Sequence, residues 1–357
     1  MTMQTFALTP ARIGKFKGEI LSHAVPQEVI TKAGRQVQMP KNSSDTYVAR
    51  RFLPFGGTAT DSNTINRFFQ NGNGDRGNAI VQAHMVQEGV TPAPDSIVPQ
   101  DISVVMQQYS CLYGFSDKTY NLYEDDIPKA MTKQVGERIT FVNELIVYGA
   151  LKACTNVYYG GTGTSLATVN GGLTLGMIRK IVKNLQANHA MPVSSVLAAS
   201  NRFGTDPVAQ GYFVYAHTDL EPDIRDLPGF VPTEKYASGT PMPNEVGKVE
   251  RFRFLTSPDF PAIQNAGAAI GSTNLYSTSG TSLDVYPFIV LAEGAFSQIA
   301  VRGMSSTDPT FLPPSQKSKS DPHGQRGYIG AIWWKAVMIE NQGWMAAGYV
   351  GCKNLPA

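Results

Sequence analysis

Few side chains in this sequence are spaced for catalysis. The five histidines stand at positions 23, 84, 189, 217 and 323, with no i,i+4 pair, no HExxH and no Cys/His set for tetrahedral zinc. His217-Thr218-Asp219, with Glu221 and Asp223 close behind, comes nearest to a metal-binding cluster, but a solvated polar loop is the simpler account. Gly160-Gly161-Thr162-Gly163-Thr164-Ser165 resembles a phosphate-cradling loop, yet it lacks the lysine of that motif and is expected to follow a helix, so it reads as a helix-stop linker. No GxSxG nucleophile elbow or Ser/His/Asp order is present. The adjacent acids Asp125-Asp126 sit where capping a helix explains them. Tyr328, Trp333, Trp334, Trp344 and Tyr349 form an aromatic group that suits a sheet core, the alternative being a stacking platform for sugars or bases. Cys111, Cys154 and Cys352 are isolated, which fits free thiols in a reducing compartment. No catalytic, cofactor-binding or metal-binding residue is assigned, and no enzyme activity is expected.

The elements around these residues speak of organisation rather than chemistry. Thr9-Pro10 opens a short helix with Ile13, Phe16 and Ile20 on one face, ended by Pro26. Residues 35–55 read as extended, and 56–100 form a long stretch of Gly, Asn, Thr, Asp and Pro of a kind uncommon inside compact monomers. Asp101–Tyr120 returns to β character. An acidic start and Pro128 then open a long helix, Asp126–Cys154, with apolar residues at Met131, Val135, Ile139, Val142 and Leu145. A second helix is predicted at Thr174–Asn188, stopped by Pro192. Val196–Asn201, Val246–Leu255 and Val285–Ala292 read as strands, and Tyr328–Ile339 with Trp344–Gly351 as a closing hairpin. A second polar, Pro-rich excursion occupies 303–326.

Composition points the same way. The chain has 357 residues, enough for about two domains at roughly 150 residues each. Only 16% of its residues are charged, against about 25% in ordinary globular chains, while 42% are hydrophobic. A normal core with so thin a charged coat suggests that part of the surface faces other protein. Net charge is +2, which excludes a globally basic nucleic-acid coat. The first 60 residues carry eight basic and three acidic side chains, net +5, which leaves −3 for the remainder. No apolar run approaches the ~18 residues of a membrane span, and no secretory signal pattern opens the chain.

The order of parts is then specific. DTYVARRFLP at Asp45–Pro54, Glu88-Gly89-Val90-Thr91-Pro92, and Tyr113–Thr119 precede the long helix. Glu245–Val249, Arg253-Phe254, Ser257-Pro258 and YPFIVLAEGAF at Tyr286–Phe296 follow it. Together these segments resemble the major capsid proteins of tailed phages, more narrowly the N4-like podophage capsid family. The resemblance implies an α+β, Hong-Kong-97-type fold. It implies an N-terminal arm (1–34), an extended loop with flanking strands (35–122), a peripheral spine helix and linker (123–171), a mainly axial domain (172–284) and closing strands for both domains (285–357). One departure is that 203–240 lacks the family's short strand ending in His-Pro.

The implied work is assembly in the host cytoplasm into hexamers and pentamers of an icosahedral virion capsid enclosing double-stranded DNA. Its partners would be further copies of the chain, portal and scaffolding proteins, a decoration protein in some capsids, and DNA by nonspecific contact, with no cofactor and no membrane. Inter-subunit contact is expected at Arg50, Arg51, Phe52, Glu88, Gly89, Thr91 and Pro92; the inner surface or DNA is expected to meet Arg12, Lys15 and Lys17. No Glu/Lys-rich helical leader precedes the arm, so scaffolding is expected to be a separate chain. Lys41 and Asn354 are the types a covalent cross-link needs, but nothing places them together. The competing readings are a nanocompartment shell of the same fold and a β-rich carbohydrate-binding or hydrolytic tail component. Nucleic acid inside purified particles separates the first from a phage head; tryptophans exposed in a groove would favour the second.

Overall fold

The computed structural model describes residues 25–53, 84–123, 126–193, 210–236, 241–301 and 308–354, apart from 41, 43, 87, 92–95, 98, 272–273 and 318. The expected arm helix with Arg12, Lys15 and Lys17, the expected strand Val196–Asn201, and Pro92 lie outside the described residues. The described chain opens on a 3-10 turn, Ile30–Lys32, followed by strands β1 (Arg35–Met39), β2 (Thr46–Phe52), β3 (Pro99–Val105) and β4 (Gln107–Ser116). Helices α1 (Asp117–Leu122) and α2 (Ile127–Lys152) lead to β5 (Val157–Tyr159), α3 (Leu175–Ala187), β6 (Tyr212–His217) and α4 (Glu221–Arg225). The remaining strands are β7 (Phe230–Pro232), β8 (Glu245–Val249), β9 (Phe252–Ser257), β10 (Tyr286–Leu291), β11 (Phe296–Val301), β12 (Asp308–Leu312), β13 (Arg326–Ile339) and β14 (Met345–Val350).

Helix α2 begins where the sequence says it should. The Asp126 carboxylate accepts from the Lys129 N–H at 3.2 Å, Pro128 stands in the first turn, and Lys152 stands in the last. Its 26 residues span about 39 Å. That length lets one helix serve two cores. Met131 and Val135 pack with Cys111, Phe115, Ile329, Ala331 and Trp333, beneath β4 and β13. Val147, Tyr148 and Leu151 pack with Phe213, Tyr215, Ile289 and Ala347 under a different sheet. Helix α3 is capped by Thr174, whose hydroxyl accepts from Met177 N, and buries Met177, Ile178, Ile181 and Leu185.

That second sheet has seven strands in the order β5-β14-β10-β6-β9-β8-β7. Its centre is covered on both faces: Tyr212, Val214 and Ala216 of β6 point to the α3 side, while Phe213 and Tyr215 point to the α2 side. Strands buried on both faces read as unbroken apolar runs rather than alternating ones. Here those runs are YFVYAH, YPFIVL and MAAGYV. The other large sheet runs β1-β11-β13-β12, with β4 also paired to β13, and a two-stranded ribbon is formed by β2 and β3.

Four expectations are corrected. β13 and β14 do not form a hairpin: both edges of β14 are occupied, by β10 and β5, and a 3-10 turn at Gln342–Trp344 carries the chain from one sheet to the other. Val246–Leu255 is not one strand but the antiparallel pair β8–β9, reversed at Glu250, whose φ is +49°. A strand ending in His217 does exist inside 203–240, as β6 at the sheet centre, followed by Thr218 in place of proline. The β character expected over Asp101–Tyr120 holds only to Ser116, as β3 and β4 broken at Met106; Asp117–Tyr120 belong to α1, where the Ser116 hydroxyl accepts from Thr119 N.

Candidate functional site

The groups that could have done chemistry are committed elsewhere. His217 Nδ1 accepts from Asp219 N at 3.0 Å, an interaction local to its own turn. The Asp219 carboxylate accepts from Tyr286 OH at 3.0 Å, and burial together with this bond pushes the Tyr286 hydroxyl up from its ordinary pKa. Asp223, buried, accepts from Lys353 N, while Glu221 pairs with Arg225 one helical turn away. Each acid thus has its own partner, and among the described residues no group of three His, Cys, Asp or Glu side chains is arranged for a metal ion. The three cysteines are free and buried, and burial with the neighbouring aspartates raises the Cys352 thiol to about 12. No helix among the described residues is long and apolar enough to cross a membrane.

The glycine-rich loop at 160–165 follows a strand, β5, and not the helix expected before it. Four of its amides are nevertheless taken: Gly160 N donates to the Tyr349 carbonyl at 2.8 Å, Thr162 N donates to Asn170 Oδ1 at 2.9 Å, and Thr164 N and Ser165 N both donate to Thr168 Oγ1 at 3.0 Å. Gly160 is required by packing, since a Cβ there would fall on the Gly171 carbonyl oxygen. The tryptophans form no open platform. Trp333 is buried against α2 and donates to Asn143, and Trp344 donates to the Asn188 carbonyl.

The surface that remains is the β2–β3 ribbon. Its register pairs Thr46 with Val105, Arg50 with Asp101 and Phe52 with Pro99. Period-two alternation gives the ribbon two unlike faces. The inner face packs Tyr47, Ala49, Ile102 and Val104 over a core of Met39, Met106, Ile299, Ala336 and Met338. The outer face presents Val48, Phe52 and Val105 to solvent, with Phe52 65% exposed. In the middle of that face Arg50 makes a bidentate bond to Asp101, 2.7 and 2.9 Å, which raises the arginine and lowers the aspartate pKa. Arg51 turns the other way. It donates to Gln100 Oε1 at 2.9 Å and to the Glu340 carbonyl at 2.8 Å, tying the ribbon to the end of β13, and burial lowers its pKa.

Of the residues singled out for contact, Arg50, Arg51 and Phe52 therefore share one ribbon but face different surroundings. Glu88, Gly89 and Thr91 lie exposed on the segment approaching β3, with Gly89 at φ +80°. Around them Met85, Val86, Val90 and Ile97 are 58–74% exposed, an unusual density of apolar side chains left largely uncovered by the described residues. Asp101, Gln100 and Glu340, the groups that hold both arginines, were not among the sequence candidates. The local signal for them is absent, because their proximity depends on strand register and on a contact between Arg51 and Glu340.

An α+β body with one long helix, two large sheets and a two-stranded ribbon has the fold of tailed-phage capsid proteins, the Hong-Kong-97 type that the sequence resemblance implies. The capsid of Ralstonia phage GP4 superposes with a TM-score of 0.64 over 100% of both chains at 11% identity. The Cyanophage Pam1 capsid does so with a TM-score of 0.59 over 99% of this chain and 100% of that one, also at 11% identity. In sequence, the major capsid protein of Pseudomonas phage KPP21 is 22% identical over 256 residues, which cover 66% of this chain and 64% of that protein, so the match spans a little under two thirds of the relative. No family profile matches the chain.

Proposed function

We propose that this chain is a major capsid protein of a tailed phage, working as a structural component of the virion shell and not as an enzyme. The observation that carries this reading is the end-to-end correspondence of its fold with a phage capsid subunit, 100% of each chain, rather than with one domain of it. The exposed apolar row on the ribbon and the segment before it supports the same reading, because such a row is stabilised only under another protein surface. Heterologous contacts that close build rings and shells. In this reading the subunits form hexamers and pentamers of an icosahedral head around double-stranded DNA. Residues 1–34 act as the arm, 35–122 as the extended loop and its flanking strands, 123–171 as the peripheral spine, 172–284 chiefly as the axial domain, and 285–357 as the strands that complete both.

Contacts with neighbours run through Phe52, Glu88, Gly89, Thr91 and Pro92 and the ribbon carrying Arg50 and Arg51. Arg12, Lys15 and Lys17 meet the inner surface or DNA phosphates without reading sequence. Portal and scaffolding proteins, and a decoration protein where one exists, complete the list of partners. The ordered sequence segments favour the N4-like podophage group. The test is light scattering and negative-stain imaging of the expressed chain, with and without a scaffolding protein. Closed shells, rings or tubes of megadalton mass are expected; a monodisperse monomer under all conditions would refute the reading. Nucleic acid absent from particles purified from infected cells would point to a cargo compartment instead.

A further inference from the structure

Glu144 is a charged-type residue in the C-terminal half of α2 with 0% exposure, and no lysine or arginine pairs with it within salt-bridge distance among the described residues. Its carboxyl group is aimed at a single turn of chain 113–115 residues earlier. Oε1 accepts from Val29 N at 3.0 Å and Ile30 N at 2.7 Å; Oε2 accepts from Thr31 N at 3.1 Å and Thr31 Oγ1 at 2.8 Å. The far side of the same turn is held as well, since Gln298 Nε2, on β11, donates to the Thr31 carbonyl at 2.5 Å. Val29 and Ile30 then fill the core shared by α2 and the seven-stranded sheet, beside Val147, Tyr148 and Phe296. Gly34 lies so close beneath the Phe296 ring that a Cβ would meet it at 2.5 Å. One turn is thus satisfied at both ends by two different elements and wedged between the spine helix and a sheet.

We infer that Glu144 is a positioning residue for shell assembly: by capping residues 29–31 it fixes the point and direction at which the N-terminal segment joins the subunit body. The reason is physical. An uncapped 3-10 turn leaves its N–H groups unpaired, and a buried carboxylate without donors is costly, so turn and carboxylate stabilise each other only when docked. The link to assembly rests on the function proposed above. The docking itself does not.

The experiment uses the full chain and the variants Glu144→Gln and Glu144→Met, which keep side-chain length while removing the charge or every acceptor. Amide exchange is followed at residues 29–31 and, as an internal reference, at Phe288–Leu291 in the sheet centre; closed particles are counted by electron microscopy. In both variants the amides of 29–31 should exchange roughly ten- to hundredfold faster while the reference strand is unchanged. The yield of closed shells should fall by roughly tenfold, with irregular products in their place. Thr31→Val, which removes one of the four bonds, should lie between wild type and the two variants in exchange and should retain shells. Unchanged protection at 29–31 overturns the docking role. Loss of protection in the reference strand in both variants overturns positioning in favour of folding, and normal shell yield despite a released turn overturns the link to assembly. A wild-type chain that never forms shells, in which 29–31 still depend on Glu144, would sink the functional reading and leave the docking intact.

Discussion

The seven-stranded sheet and the β2–β3 ribbon are built from similar residues and treated in opposite ways. Phe254, Phe288, Ile289 and Val290 are at most 1% exposed, enclosed by α3 on one side and α2 on the other. Phe52 and Val48, on a strand of the same chain, are 65% and 54% exposed. The sheet is complete within one subunit. The ribbon covers its inner face, and among the described residues its outer face has no partner. The contrast teaches that apolar content alone does not say where a chain's core ends; what matters is whether a second layer arrives to cover it.

The most severe way to test this contrast is to remove the unfinished part. Deletion of residues 60–98 should leave the thermal midpoint of the subunit within a few degrees of wild type and abolish closed shells, as read by calorimetry and electron microscopy. Normal particles from the deletion would show that the excursion is not needed between subunits. Next in size is a cavity in the finished part. Phe288→Ala should destabilise by about 3–5 kcal/mol, the range for large-to-small aromatic changes in cores, whereas Phe52→Ala should leave denaturant unfolding of the subunit essentially unchanged. A comparable loss from both would collapse the distinction between the regions.

A polar feature inside the finished sheet sharpens it further. Glu245 on β8 accepts from Arg253 at 2.8 and 2.6 Å, from Tyr236 OH at 2.8 Å and from Met242 N at 3.0 Å. The arginine is 9% exposed at its side chain and the glutamate 0%. Arg253→Leu strands a buried carboxylate and should cost about 3 kcal/mol in urea unfolding, with the double change Glu245→Leu/Arg253→Leu recovering most of it.

How much of this was readable beforehand varies by element, for physical reasons. Both main helices declare themselves through caps and spacing: Asp126 with Pro128 for α2, Thr174 for α3. β6 hid because a strand covered on both faces loses its alternation and sits among Gly, Asp and Pro that read as loop. The mistaken hairpin at the end of the chain has another origin, since proximity in sequence suggested pairing while the partners of β14 are β10 and β5, strands known only from the sheet order. At the ribbon, Arg50, Arg51 and Phe52 were singled out from the sequence, but Asp101 comes opposite Arg50 only through register. Glu144 stands among apolar residues of α2, with Phe141 and Val147 three residues away and Tyr148 four, but its partners could not be read from the sequence, because its donors are mostly backbone amides of residues 29–31.

A smaller effect than these comes from Lys335 on β13, a buried cation whose pKa is lowered to about 8, chiefly by desolvation, with Glu28 and Glu144 opposing that shift. Its ordinary value is 10.5, so between about pH 8 and 10.5 the unfolded chain binds a proton that the folded chain has released. The unfolded state then holds more protons, and stability rises with pH across that window. In urea titrations the wild type should gain about 1–3 kcal/mol on Lys335→Met between pH 7.5 and 10, a trend opposite to that of a paired lysine. A flat difference would mean that the ammonium is solvated, and that the junction between α2 and β13 is less closed than the core beside it.

The smallest expected effect is at Arg50, and it bears most directly on the ribbon. The pair with Asp101 has good bidentate geometry, but its side chains are 63% and 46% exposed, and in water a pair of that kind contributes little. Arg50→Ala should therefore leave the unfolding midpoint of the isolated subunit unchanged at physiological salt, while Arg51→Ala, which cuts the tether to the Glu340 carbonyl, should loosen the ribbon enough to be seen as faster amide exchange in β2 and β3. The same two variants then separate the faces of the ribbon in assembly. Loss of shells from Arg50→Ala, with subunit stability intact, assigns the outer face to a neighbouring copy. Loss from Arg51→Ala alone means that the ribbon needs only to be held at the right angle by its own subunit, and that the exposed apolar row, rather than its central ion pair, makes the contact.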